Sequence, residues 1–206
     1  MYQGEKFNSI THLVGVILAV SAVSVLMTLV SLSGDPWKII ACAIFGASTL
    51  FLYGFSTLYH SLKGTAKNFF QKLDYIAIYI MIAGTYTPFT LVTLRPTEGP
   101  WIFALIWALA ILGILQEIFR KASPQRKLSL FLYLIMGWLV VGVGQTLFRE
   151  LSFTGLFCLV LGGIFYTAGV VFFVNDHRWK HAHGIWHLFV LAGSSAHFVS
   201  VFAELV

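Results

Sequence analysis

A chain of 206 residues that is 58% hydrophobic and only 10% charged is not a soluble domain, in which about a quarter of the residues carry charge. Its repeated apolar runs of bilayer-crossing length predict an all-α membrane protein, and the lack of ten-residue segments of alternating polarity excludes a transmembrane barrel. With little sequence outside those runs, the formal net charge of +5 is a topology signal and gives no support to nucleic-acid binding.

The opening residues Met1 to Phe7 carry one Lys and one Glu, a poor signal-peptide start, and the apolar run that follows is too long for a cleaved signal. It predicts a retained first helix over about Ser9 to Ser31. A breaker-rich turn, Ser33-Gly-Asp-Pro-Trp37, leads to helix two, about Lys38 to His60. A loop from Ser61 to Lys72 carries Lys63, Lys67 and Lys72. Helix three follows over about Leu73 to Leu94, and Gly84 and Pro88 predict a kink or local unwinding in its second half. Helix four runs from about Trp101 to Phe119. A basic loop, Arg120 to Lys127, precedes helix five, about Leu128 to Leu147. Helix six covers about Ser152 to Val174 and helix seven about His183 to Leu205. Residues 1–206 thus read as a single seven-helix transmembrane domain. Cys42 and Cys158 fall inside apolar runs with no paired spacing and read as small buried hydrophobes.

Seven spans place Lys6, Lys63, Lys67, Lys72, Arg120, Lys121, Arg126, Lys127, Arg178 and Lys180 on one side of the membrane. Only Lys38, Arg95 and Arg149 fall on the other. By the positive-inside rule the N-terminus is cytoplasmic and the C-terminus outside. Trp37 and Trp101 then fall near the outer interface and Trp179 near the inner one, as interfacial aromatics do.

This topology, fixed by Lys and Arg alone, brings four polar residues to one depth. His60 ends helix two, Asp74 begins helix three, and His183 and His187 share one face at the start of helix seven, all at the cytoplasmic end. Singly, each has an ordinary explanation: an interfacial His, or an Asp favoured in a first helical turn. Together, three neutral imidazoles suit zinc and leave a fourth position open for water. Asp74 either ligates directly or accepts a hydrogen bond from that water. Ser56, four residues before His60, faces the same way and is placed to orient the water or a ligand. Zinc activates water at neutral pH and polarises carbonyls, so the natural chemistry beside a lipid-facing cavity is hydrolysis of a lipid amide or ester. Glu5, Asn8 and His12 are spaced to share a face, where they either shape the cavity mouth or are solvated. His197, ten residues beyond His187 and about 15 Å deeper, cannot share the first shell. It either lines the cavity or hydrogen-bonds Ser or Thr on a neighbouring helix. Glu117 and Gln145 have no assigned role.

Ser56-Thr-Leu-Tyr-His60, Leu73-Asp74-Tyr75, Ala83-Gly-Thr-Tyr-Thr-Pro-Phe89, His183-Gly-Ile-Trp-His187 with His197-Phe198, and the opening Glu5-x2-Asn8-x3-His12 resemble the bacterial hemolysin III proteins over essentially the whole chain. That family belongs with the progestin and adipoQ receptors, which include the adiponectin receptors, and more distantly with alkaline ceramidases. The resemblance implies seven helices with zinc near the cytoplasmic face, ligands His60, His183 and His187, Asp74 near the attacking water and Ser56 beside it. It implies a ceramidase-like hydrolase acting on a membrane lipid, in the bacterial inner membrane. With no sizeable N-terminal domain, a protein hormone is not an expected partner. Bacterial members are associated with membrane energetics and lipid homeostasis. Two other readings stand beside the enzyme. One is a non-enzymatic sensor or regulator of membrane state, in which a structural zinc binds Asp74 directly. The other is a cytolysin, as the family name suggests, although charges at helix ends give it no wide polar lumen. An ion transporter would need an acidic relay across the bilayer, which the sequence lacks.

Overall fold

The computed structural model describes residues 1, 4–120 and 126–206. It has seven helices long and apolar enough to cross a membrane: α1 Lys6–Leu32, α2 Pro36–Ser61, α3 Gly64–Thr93, α4 Gly99–Phe119, α5 Lys127–Glu150, α6 Phe153–Val174 and α7 Ala182–Leu205. This is the all-α, seven-span architecture expected of the sequence. Lys121, counted above among the basic residues, lies outside the described residues.

Local chemistry sets the ends. Asp35 accepts from the Trp37 amide and Pro36 occupies the first turn, which fixes the start of α2. Ser152 does the same for α6 through the Gly155 amide. At other ends lysines bind the last carbonyls: Lys72 Nζ donates to Ile118 O and Lys38 Nζ to Leu205 O, both at 2.8 Å. Cys42 and Cys158 are both free.

Two elements differ from expectation. Helix three begins at Gly64, not near Leu73, so the lysine-rich loop is mostly helix and Asp74 sits about three turns inside α3. Residues 65–72 contain no Pro or Gly and several good helix formers. Hydropathy alone reads such polar turns as loop. Helix five is not one continuous α-helix: Lys127–Trp138 is α, Leu139–Val143 is 3-10 and Gly144–Glu150 is α again. Tyr86 of α3 serves that break. Its hydroxyl donates to Met136 O at 2.8 Å and accepts from the Val140 amide at 2.8 Å. Of the kink or local unwinding expected in α3, the unwinding is present, as a π-helical turn over Phe89–Thr93 directly after Pro88.

The buried core runs through α2, α3 and α7, with Phe45, Leu52, Met81, Val190 and Val201 at its centre. Beside it, α5 stands off from α3 and α6. Two largely apolar cavities, of about 140 and 210 Å³, lie in the gap. They share Thr85, Tyr86, Gly137, Trp138, Gly163 and His197 as lining residues. The first reaches Asp74 and His12, and the second reaches Leu94 and Leu147.

Candidate metal centre

The end of α2 and the start of α7 meet at three histidines. One ring nitrogen each from His60, His183 and His187 lie within 4.8 Å of one another. Among the described residues, every Nε2 of the three is buried without a hydrogen-bond partner. Every Nδ1, by contrast, is held. His60 Nδ1 lies 2.7 Å from Glu5 Oε2, and His183 Nδ1 lies 3.4 Å from Asp176 Oδ2. His187 Nδ1 lies 3.1 Å from both the Asn8 carbonyl and Thr11 Oγ1. With each Nδ1–H donating outward, the three Nε2 lone pairs share one small space. Buried acceptors left bare are costly. A cation among them removes that cost, and oriented neutral imidazoles are the donor set that transition metals take. The cluster could bind a metal ion.

The start of α1 organises this arrangement. Gly184 has no side chain, and the Phe7 ring and the Asn8 side chain fill the place a Cβ would take. Only that close approach lets Asn8 and Thr11 reach His187. Glu5, one residue before α1, accepts from His60, from Lys67 Nζ at 2.7 Å and from Asn8 Nδ2 at 2.9 Å. Burial pushes its carboxyl up, but these hydrogen bonds prevail and hold it well below the usual carboxylate range. The hydrogen bond from His183 likewise holds Asp176 down.

Asp74 is 5% exposed and lines the first cavity. Among the described residues it lies outside the three-histidine group. Ser56 is buried beside it. His12 also lines the cavity and stacks on the His187 ring, with centroids 3.6 Å apart and planes 15° apart. His197 lines both cavities and bonds the Leu159 carbonyl at 3.1 Å. That backbone partner takes the place of the side-chain partner a membrane histidine often finds.

Sequence reasoning missed the partners of the histidines. Asp176 and Thr11 carried no signal, because their partners become neighbours only in the fold. Glu5 carried one, its spacing with Asn8 and His12. Glu117, unassigned from sequence, is buried and bonded to Arg126 at 2.9 Å and Ser129 at 2.5 Å.

A family model described as Haemolysin-III related matches residues 1–198. The chain belongs to the hemolysin III family. It is 42% identical over 201 residues to the Hemolysin-3 homolog of Bacillus subtilis (strain 168), covering 96% of this chain and 92% of that one. The monocyte to macrophage differentiation factor of Homo sapiens is 31% identical over 185 residues, 84% of this chain and 74% of that one. The adiponectin receptor protein of Drosophila melanogaster is 24% identical across 94% of this chain, which spans 49% of that receptor. These relatives place this hemolysin III protein in the wider superfamily, and its seven apolar helices make it a multi-pass membrane protein.

Proposed function

We propose that this hemolysin III protein is a zinc-dependent membrane hydrolase that cleaves an amide or ester bond of a lipid. The observation that carries the reading is the convergence of three bare, buried Nε2 atoms close to an apolar cavity that a carboxylate also lines. His60, His183 and His187 would hold the ion, since three imidazoles with one position left open match catalytic zinc sites. Bound there, zinc would supply a Lewis acid and bring the pKa of water to about 7.

The chain's own residues do the rest. The cavity takes the acyl chain and keeps bulk water from it. Asp74 accepts a proton from the water whose oxygen adds to the lipid carbonyl carbon. As the C–N or C–O bond breaks, Asp74 passes that proton to the departing amine or alcohol, leaving a fatty acid. Ser56, buried beside Asp74, orients the water or the carbonyl oxygen. A closed structural site would recruit Asp74 as a fourth ligand, and its place outside the histidine group supports the open alternative. The excess of Lys and Arg at the end that carries the N-terminus supports a cytoplasmic site in the inner membrane.

Elemental analysis of purified protein should find one zinc per chain. Asp74→Ala should keep the zinc yet let a membrane lipid accumulate relative to the wild-type strain. Identical lipid profiles in wild-type, deletion and Asp74→Ala strains would overturn the enzyme.

A further inference from the structure

His12 is 2% exposed, and neither ring nitrogen has a partner among the described residues. Its ring lies flat on His187, and the Tyr53 ring stands perpendicular to it, with centroids 5.2 Å apart and planes at 89°. The same helix face supplies the Asn8 carbonyl and Thr11 Oγ1 that hold His187 Nδ1. These two partners share the single Nδ1 and fix where it points. A flat partner against one face restrains the tilt of the ring as well.

We propose that His12 is a positioning residue for the metal, a flat clamp that sets the plane of His187 and so aims its Nε2 at His60 and His183. This rests on the reading of the three histidines as a metal site. An imidazole that donates its lone pair to a cation is electron-poor. A neutral aromatic face against it is attracted much as an aromatic face attracts a cation. The contact therefore strengthens when the site is loaded, and the clamp contributes to affinity as well as to order.

The test compares His12→Leu, which fills similar volume without a flat face, with His12→Phe, which keeps one. Cobalt(II) serves as the probe, because its visible absorption reports coordination geometry without any lipid or turnover. The expected result is about a 10–100-fold loss of cobalt affinity in His12→Leu, the range typical of outer-shell partners, with an altered spectrum. His12→Phe should stay within a few-fold of wild type and restore the spectrum. Circular dichroism and thermal melts of metal-free protein show whether each variant is folded. Should His12→Leu not fold, His12→Phe against His12→Gln gives the same contrast. Wild-type affinity in His12→Leu, or equal losses in His12→Leu and His12→Phe, overturns the clamp while leaving the metal site standing. A wild-type protein that takes up no cobalt overturns both.

Discussion

Glu5 shows how a charged residue at a helix entrance can serve a site on other helices. Its carboxylate holds the Nδ1–H of His60 and so turns Nε2 inward, the carboxylate–histidine device that raises the basicity of a ligand. Because its pKa is held down, Glu5 stays charged throughout the neutral and mildly acidic range. Any stability it lends is present above the unfolded carboxylate value and fades only as pH falls below it. Glu5→Gln keeps an acceptor for His60 but removes the charge that also pairs with Lys67. Zinc affinity, measured against a chromophoric chelator, should fall by about tenfold or more with the helices intact; unchanged affinity would remove Glu5 from the site. His60, His183 and His187 were legible in the sequence because lysine and arginine fixed their depth independently. The grip on His60 was not, since Glu5 and His60 are 55 residues apart and only packing of α1 against α2 joins them.

Among the elements, α5 is the one whose conformation depends most visibly on a neighbour. A 3-10 stretch inside a membrane helix shifts backbone groups off the α ladder, where no water can satisfy them. One hydroxyl, that of Tyr86, takes up both a carbonyl and an amide there. Tyr86→Phe leaves both bare, at a cost of about 1–3 kcal/mol. Hydrogen exchange should therefore quicken across residues 136–140 while α2 and α7 keep their protection; uniform exchange in the variant would contradict this. The unwound turn in α3 was readable because Pro88 removes a rung of the α ladder there. The break in α5 was not, because glycines and β-branched residues only permit one, and Tyr86 lies 54 residues from Val140. The early start of α3 escaped notice for the opposite reason: its first turns are polar, and hydropathy registers spans better than the helical turns that project beyond them.

Across the whole molecule, the candidate site joins Glu5 at the entrance to α1, His60 of α2 and the paired histidines of α7, while α3 brings Asp74 alongside. A cation held there binds the folded bundle and not the dispersed helices, so it stabilises by mass action. Free metal at about a hundred times its dissociation constant adds roughly 2.7 kcal/mol, or about 5–10 °C in Tm for a chain of this size. Stripping the protein with a chelator should lower its melting temperature by that amount and zinc should restore it. An unchanged melt would mean that the three histidines hold no ion at equilibrium. The seven spans were plain from composition and charge. The cavities were not, because an empty space between helices depends on how far α5 stands from α3 and α6, and no residue encodes that distance alone.

Asn8 and His187, which meet beside the cluster, are 179 residues apart. At ribosomal speeds of about 5–20 residues per second, roughly ten seconds or more separate their synthesis. The nascent chain must thus thread its earlier spans into the bilayer with His60 still lacking its companions. Capture of an ion by the three histidines would then be a late event in biogenesis, a checkpoint that only a polypeptide translated through α7 could pass.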